Sequence, residues 1–210
     1  IRIEAPIPGK SLVGIEIPNS TKITVGLGTL LSSRDFAESP HPLYIALGKG
    51  ISGAAHFANL AKAPHLLIAG ATGSGKSVTI HSIIISLLYR NSPENLRLIM
   101  IDPKRVELTL YNGIPHLLTP VITDPKKAIM ALKWAAKEME RRYNILEKCA
   151  VRDIASYQKN IEKKEDDLPY IVIVIDELAD IMSTYPRELE AAIVRLAQMS
   201  RAVGIHLILS

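Results

Sequence analysis

The stretch formed by residues 65–77 has the residue types and the spacing of a phosphate-binding loop. An apolar run ends at Gly70, and the loop closes with Gly75, Lys76 and Ser77, which gives the pattern G-x-x-x-x-G-K-[ST]. Glycines let the backbone curl so that its N–H groups converge on phosphate oxygens, and the helix that follows points the positive end of its dipole at the same oxygens. The pattern therefore predicts a nucleoside triphosphate site.

The residues of this loop have predicted roles. We expect Lys76 to bridge the β- and γ-phosphates of ATP, and the Ser77 hydroxyl to ligate Mg²⁺. The alternative, a glycine-rich turn that binds nothing, is disfavoured because a strand pattern precedes the loop and a helical apolar pattern follows it. The residues predicted to contact the nucleotide are Gly70, Ala71, Thr72, Gly73, Ser74, Gly75, Lys76, Ser77 and Val78. The predicted apolar face of the next helix consists of Val78, Ile80, Ile83, Ile84, Leu87 and Leu88.

Asp176 and Glu177 supply the second half of the predicted site. They follow the unbroken apolar run Tyr170–Ile175, which is typical of a central parallel strand buried on both faces. We predict that Asp176 shares the Mg²⁺ with Ser77, because a carboxylate without a partner would be costly to bury at the end of such a strand. Glu177 is the predicted general base that activates water. The alternative is a surface glutamate that begins a helix and is favoured by the helix dipole.

The end of the sequence offers two further candidates. In P-loop ATPases with such an Asp-Glu pair, another strand lies between the two strands that carry the site, and Ile205–Leu209 is the predicted one. Ser210, or a residue just past it, would then sense the γ-phosphate. Arg201 is a candidate finger that contacts the ATP of a neighbouring subunit, the alternative being an arginine that pairs with a helix C-terminus. We expect a motor that is truncated after this strand.

Strands that alternate with helices predict an α/β fold in which a parallel sheet carries helices on both faces. A further strand, Leu96–Ile101, ends in a polar cluster at 102–105 that should face the ligand crevice. Lys104 and Arg105 in this cluster have a solvated surface as their default interpretation. Helices are predicted from Asp124, an N-cap followed by proline, and over 151–161 and 186–201. The charged run 162–167 is predicted to be a mobile loop.

The first part of the chain differs from the rest because prolines punctuate short segments. The pattern predicts a strand at 12–17, a short helix at 29–36 and a hairpin formed by residues 43–47 and Ala55–Asn59. We assign residues 1–42 to a small N-terminal α/β subdomain and residues 43–210 to the ATPase domain.

Composition narrows the class of protein. The chain has 210 residues, of which 48% are apolar, enough for one well-cored domain and a small appendage. Its net charge of +4 permits a nucleic-acid partner without requiring one. The single cysteine, Cys149, cannot form an intrachain disulfide, and no apolar run approaches the length of a membrane span. We therefore expect a cytoplasmic region, with any membrane anchor outside it.

Six segments together resemble the FtsK/SpoIIIE family of DNA translocases. They are PGKSLVGIEIPN (8–19), PHLLIAGATGSGKSV (64–78), LIMIDPKRVEL (98–108), MERRY (139–143), IVIVIDELADIM (171–182) and RAVGIHLILS (201–210). They occur in the family's order and span nearly the whole chain. There are three departures: Gly50 replaces an Asp that relatives often carry, the loop at 160–169 is shorter than in many relatives, and the T-Q-R-P motif expected after Ser210 is absent.

The resemblance implies a RecA-like P-loop ATPase, of the type with an additional strand, that forms a hexameric ring around double-stranded DNA and pumps it. By position, Lys76 and Ser77 belong to the Walker A motif, Asp176 and Glu177 to the Walker B motif, and Arg201 to the finger that acts on a neighbour's ATP. The family's motor usually follows an anchor in the inner or cell membrane and serves chromosome partition during cell division or sporulation. We therefore expect membrane attachment only through segments outside these residues.

Two other functions would use the same ATP site. One is a ring ATPase of a secretion system, which moves protein instead of DNA. The other is a P-loop module that binds nucleotide only as an assembly switch. DNA-stimulated ATP hydrolysis would separate the first from a DNA motor, and a Glu177→Gln variant would identify the second.

Overall fold

The computed structural model describes residues 1–18, 21, 24–71, 73–159 and 168–210. Within these ranges its strands are β1 (Arg2–Glu4), β2 (Gly14–Glu16), β3 (Tyr44–Lys49), β4 (Ala55–Asn59), β5 (Leu66–Leu67), β6 (Leu96–Ile101), β7 (Tyr170–Ile175) and β8 (Ile205–Leu209). Its helices are α1 (Leu27–Leu31), α2 (Arg34–Ala37), α3 (Lys76–Arg90), α4 (Pro125–Lys148), α5 (Ile154–Lys159), α6 (Leu178–Thr184) and α7 (Pro186–Met199), and a 3₁₀ turn covers Thr109–Tyr111.

Four strands form a parallel sheet in the order β5, β8, β7, β6. The last strand in sequence therefore lies between the strand that precedes the phosphate-binding loop and the strand that precedes Asp176, which confirms the predicted order. Because all four strands run in the same direction, their carboxyl ends meet at one edge of the sheet. The loops that follow β5, β6 and β7 leave from this edge, and Ser210 lies there as well.

The strand β7 lies at the centre of the main hydrophobic core. All six of its side chains are buried, and Ile173 pairs with Ile99 on β6 and with Leu207 on β8. A parallel strand that is covered on both faces needs apolar side chains on both, which explains the unbroken run without polar alternation. The prediction of a central strand here is confirmed.

The helix α3 begins immediately after the phosphate-binding loop. Its N-cap, Gly75, has a φ of 96°, and the helix ends before Asn91, whose backbone is extended. The side chains that it buries in the core are Ile80, Ile83, Ile84 and Leu87. Val78 is 68% exposed, so its predicted place on the buried face is wrong. It lies in the first turn, where it lines a cavity.

The helix α4 starts as predicted, because the Asp124 side chain accepts a hydrogen bond of 2.9 Å from the backbone N–H of Lys127. Near its other end, the buried Arg142 guanidinium donates to the carbonyl oxygens of Pro169 and Val203. These carbonyls precede β7 and β8, so Arg142 ties α4 to the amino end of the sheet. In the described ranges no helix, α4 included, is long and apolar enough to cross a membrane.

Two helix predictions need correction. The helix predicted over 186–201 ends at Met199 as α7, and it is preceded by a separate helix, α6, whose start at Glu177 was considered only as the alternative role of that residue. Glu177, the N-cap of α6, makes no side-chain capping hydrogen bond, so the sequence carries no conventional start signal there. The helix predicted over 151–161 is observed as α5, and residues 160 and 161 lie outside the described ranges. The charged run 162–167 also lies outside them.

The first part of the chain contains two hairpins. β1 and β2 pair antiparallel, and β2 is shorter than the strand predicted at 12–17. β3 and β4 pair antiparallel, which confirms the predicted hairpin, and Leu43 and Ile45 place it in the main core.

The helix predicted over 29–36 consists of two helices instead, α1 and α2. The Ser33 side chain accepts a hydrogen bond from the backbone N–H of Phe36 and so starts a new helix within the predicted range. A small apolar cluster joins these helices to β3 through Leu30, Leu31, Phe36 and Ala46. The division of the chain at residue 42 stays a prediction.

Candidate nucleotide-binding site

A cavity of about 550 Å³ lies at the carboxyl edge of the sheet and joins both halves of the predicted site. Its lining residues are Gly70, Ala71, Gly73, Gly75, Lys76, Ser77, Val78, Lys104, Val106, Glu107, Asp176 and Glu177. Ser74 is not among them; its backbone N–H donates to the carbonyl oxygen of Ala71. Thr72, also predicted to contact nucleotide, lies outside the described residues.

Glycines set the shape of the phosphate-binding loop in two ways. Gly73 and Gly75 have φ values of 79° and 96°, in the left-handed region that other residues rarely adopt. A Cβ atom at Gly70 would lie 2.2 Å from the Ser74 Oγ, so a larger residue at position 70 would force the Ser74 hydroxyl to move. The first N–H groups of α3 have no acceptor within the helix. A phosphate is the kind of ligand that such a loop and helix start can bind.

Glu177 lies between two lysines. Its Oε2 is 3.0 Å from the Nζ of Lys104 and 3.5 Å from the Nζ of Lys76. The hydrogen bond from Lys104 is the main cause that holds the pKa of Glu177 below its usual value; burial opposes this effect, and the charge of Lys76 adds to it. The same hydrogen bond raises the pKa of Lys104. Glu177 is therefore a carboxylate at neutral pH, which is the state that a general base requires.

Asp176 is buried and is held by the tip of β8. Its Oδ1 accepts a hydrogen bond of 2.7 Å from the Ser210 hydroxyl. The backbone N–H of Ser210 bonds to the carbonyl oxygen of Ile175, and the Ser210 carbonyl accepts from the N–H of Leu178. Ser210, predicted as a sensor of the γ-phosphate, thus lies beside the carboxylate predicted to bind Mg²⁺.

Glu107 is a member of the site that the sequence analysis did not single out. Its Oε1 accepts a hydrogen bond of 2.9 Å from the Ser77 hydroxyl, and its Oε2 lies 3.3 Å from the Nε2 of His81. The other ring nitrogen of His81 lies 2.9 Å from the Tyr111 hydroxyl. The polar cluster predicted at 102–105 is the sequence signal nearest to Glu107, which lies two residues beyond its end.

Asp102 explains how the loop after β6 reaches the cavity. This fully buried carboxylate accepts hydrogen bonds from the backbone N–H groups of Arg105, Glu107 and Leu108, at 2.8, 3.0 and 2.9 Å. Three such bonds hold residues 103–108 against the end of β6. The result is that Lys104 and Glu107 both line the cavity, whereas Arg105 does not. The default interpretation of Lys104 as solvated surface is therefore incomplete.

The oxygen donors of this cavity fit a Mg²⁺ ion bound together with phosphate. Among the described residues there is no group of three or more His, Cys, Asp or Glu side chains that could hold a metal ion by themselves. Proteins usually bind Mg²⁺ through one or two side chains plus substrate phosphates and water, not through an all-protein cage. The Ser77 hydroxyl and the Asp176 carboxylate are donors of this kind, and the Glu107 carboxylate adjoins Ser77.

Arg201 does not belong to this cavity. It is exposed and precedes β8, whereas Ser210 follows β8, so the length of a five-residue strand, about 17 Å, separates it from the site edge. Arg201 instead lines a second cavity together with Tyr143 and His206. The turn that contains Arg201 is closed by a hydrogen bond from the backbone N–H of Gly204 to the carbonyl oxygen of Arg201. The structure thus keeps Arg201 away from its own chain's predicted nucleotide.

Comparisons with known proteins agree with the resemblance seen in the sequence. The FtsK/SpoIIIE family model matches residues 27–210. The chain belongs to the FtsK/SpoIIIE family. Over its full length it is 58% identical to the DNA translocase FtsK of Caldanaerobacter subterraneus subsp. tengcongensis, and it spans 29% of that protein. The chain therefore corresponds to less than a third of this relative's length.

Solved structures of P-loop ATPases share the fold. The pCW3 conjugation coupling protein TcpA, in its monomer form with ATPγS, is 32% identical with a TM-score of 0.66 over 81% of this chain and 48% of that one. The cytoplasmic domain of the type VII secretion ATPase EccC from Thermomonospora curvata is 26% identical with a TM-score of 0.69 over 89% of this chain and 23% of that one. The predicted RecA-like α/β fold is confirmed for this member of the FtsK/SpoIIIE family.

Proposed function

We propose that this chain is the ATP-driven motor region of a double-stranded DNA translocase, acting in chromosome segregation or DNA transfer during cell division or sporulation. The observation that carries the proposal is that Lys76, Ser77, Asp176 and Glu177 line one cavity. They do so in a chain that is 58% identical to a protein named DNA translocase FtsK. A Walker A loop without the two carboxylates would support nucleotide binding alone.

Binding of ATP uses the phosphate-binding loop. The backbone N–H groups of residues 70, 71 and 73–78, which include the start of α3, surround the phosphates, and Lys76 contacts the β- and γ-phosphates. To do this, the Lys76 ammonium exchanges its contact with Glu177 for phosphate oxygens. Ser77 and Asp176 would hold Mg²⁺, which would neutralise charge on the phosphate oxygens.

Hydrolysis uses the carboxylate of Glu177 as general base. Water attacks the γ-phosphorus while its proton passes to Glu177, and the bond from phosphorus to the β–γ bridging oxygen breaks, so that ADP leaves with the bonding electrons. Ser210 keeps Asp176 in place through the hydrogen bond between them.

The positive charge that stabilises the transition state comes from Arg201 of a second copy of the chain. Arg201 lies away from its own chain's cavity, which supports an assembly in which it reaches the ATP of a neighbour. Such fingers supply about 10³–10⁵ in rate. A hexameric ring would place each Arg201 at a neighbour's site and leave a central channel for duplex DNA. Contacts to the DNA would be made with phosphates, which suits a sequence-independent motor on the cytoplasmic side of the membrane.

ATP hydrolysis by the full-length protein, with and without linear duplex DNA, tests this function. DNA should stimulate hydrolysis by the wild type, and binding to DNA should weaken steeply between 50 and 200 mM salt. Glu177→Gln should bind ATP but hydrolyse it about 10²–10⁴-fold more slowly. Equal hydrolysis by wild type and Glu177→Gln would instead indicate a nucleotide-binding assembly module.

A secretion-system ATPase is the second candidate, and the structural similarity to EccC is the observation that keeps it in consideration. That function predicts hydrolysis that duplex DNA leaves unchanged and that a protein substrate stimulates. The ATP site is the same in both cases, so only the stimulating polymer separates them.

A further inference from the structure

Lys104 occupies a place in the cavity that neither predicted motif accounts for. It lies on the loop after β6, and its ammonium is 3.0 Å from the Oε2 of Glu177 and 4.0 Å from the Oδ2 of Asp180. The Asp102 carboxylate holds the backbone that follows Lys104, since it accepts hydrogen bonds from the N–H groups of Arg105 and Glu107. The buried Asp102 carboxylate therefore fixes the backbone from which the Lys104 side chain extends.

Glu177 depends on partners outside its own helix. Its backbone is in the left-handed region, with φ 55° and ψ 63°, and it makes no side-chain cap to α6. The side-chain partners that the structure gives its carboxylate are Lys76 at 3.5 Å and Lys104 at 3.0 Å. Under the proposed function Lys76 turns to the phosphates, so that Lys104 is the partner that continues to orient Glu177.

We propose that Lys104 is a positioning residue that aims the carboxylate of Glu177 at the attacking water; this inference rests on the proposed function. Lys104 does not itself contact the reacting atoms. It acts through Glu177, and the hydrogen bonds to Asp102 fix the loop backbone from which the Lys104 side chain extends to Glu177. General-base catalysis depends on geometry, and a displacement of about 1 Å can cost about 10²-fold in rate. Loss of Lys104 should therefore lower kcat and leave nucleotide affinity unchanged.

Two other roles for Lys104 predict different results. A direct contact to phosphate would weaken nucleotide binding when the ammonium is removed. A surface ion pair without a role in hydrolysis would change neither kcat nor affinity, as is common for exposed pairs. The side chain is 51% exposed, so this second alternative needs a direct test.

The test measures ATP hydrolysis and the Kd of a fluorescent ATP analogue in the full-length protein. Lys104→Met should lower kcat about 10–100-fold with KM and Kd within about twofold of wild type. Lys104→Arg should recover most of the rate, because arginine retains the charge and can reach the same carboxylate. Lys126→Met, which removes an exposed lysine on α4, is the matched control and should behave as wild type.

A double-mutant cycle decides whether Lys104 acts through Glu177. In a Glu177→Gln background, Lys104→Met should change the residual single-turnover rate by less than about twofold, because the group it positions is already gone. An equal loss in both backgrounds would overturn the inference, as would an increased Kd or a wild-type kcat for Lys104→Met. If Glu177→Gln itself hydrolyses ATP at the wild-type rate, the proposed function fails; if only Lys104→Met is normal, this inference alone fails.

Discussion

The hydroxyl of Ser210 donates a 2.7 Å hydrogen bond to the carboxylate of Asp176. The two residues stand at the tips of neighbouring strands, and the backbone N–H of Ser210 also bonds to the carbonyl oxygen of Ile175. The buried carboxylate thus has a donor that comes from β8. The tip of β8 therefore contacts the group that we expect to hold Mg²⁺.

Ser210→Ala should destabilise the protein and slow hydrolysis. The variant leaves the buried Asp176 carboxylate without this donor, which costs about 1–3 kcal/mol in the free energy of unfolding. Urea unfolding at neutral pH measures this loss, and a phosphate-release assay measures the rate. Ser210→Thr is the control because it keeps the hydroxyl. Unchanged stability of Ser210→Ala would mean that water or another group replaces the hydroxyl.

Lys76→Ala should abolish ATP binding. The Lys76 ammonium is the positive side chain that the Walker A motif places on the β- and γ-phosphates, and α3 and its loop lose no buried apolar contact when it is removed. Isothermal titration with ATPγS measures the affinity, and circular dichroism checks that the helices remain. Binding as tight as that of the wild type would contradict the assigned role of Lys76.

Arg201→Ala should abolish hydrolysis while nucleotide binding stays intact. The expected reason is that Arg201, at the far end of β8 from its own cavity, acts on a neighbour's ATP. Mixing Arg201→Ala protein with Lys76→Ala protein tests this directly. In mixed rings, a subunit with an intact Lys76 can sit beside one with an intact Arg201, so part of the activity should return. No recovery in rings shown to contain both variants would contradict action across the interface.

Stability should fall as the pH falls from about 6.5 to about 4, because of His206. Burial lowers the pKa of His206 to about 4; the hydrogen bond to the Pro64 carbonyl opposes this, and the nearby His65 and Arg201 charges add to it. As the pH falls, His206 is therefore protonated near pH 6.5 in the unfolded chain but only near pH 4 in the folded chain. The contribution to the free energy of unfolding, up to about 3 kcal/mol, is present above pH 6.5 and lost through this window.

Urea unfolding at pH 7.5 and pH 5 measures this loss. His206→Gln keeps a donor for the Pro64 carbonyl but cannot titrate, so its stability should change less between the two pH values. His65, whose pKa burial also lowers, contributes in the same direction and remains in the variant as an internal reference. An identical pH dependence of wild type and His206→Gln would contradict the assignment.

Much of the fold followed from local patterns. The strand β7 was predictable because a short apolar run rich in β-branched residues favours a strand covered on both faces, and the start of α4 was predictable from a cap and a proline. The short helices were not. α6 has no capping signal, and the break between α1 and α2 depends on one serine that caps a new helix within an otherwise helical pattern. Local signals of this size are easily overridden by packing.

By itself, the sequence determined the two motifs of the site, since the spacing of Gly70, Lys76 and Ser77 and the strand before Asp176 are contiguous features. The position of the last strand was also predictable, because P-loop ATPases with such an Asp-Glu pair have another strand between the two strands that carry the site. Only the tertiary structure decided which side chains meet: Ser77 with Glu107, Glu177 with Lys104, and Asp176 with Ser210. These contacts join residues 30 or more positions apart. They depend on the register of the parallel strands and on the conformation of the loop that Asp102 holds. Neither of these can be predicted from the local periodicity of the sequence.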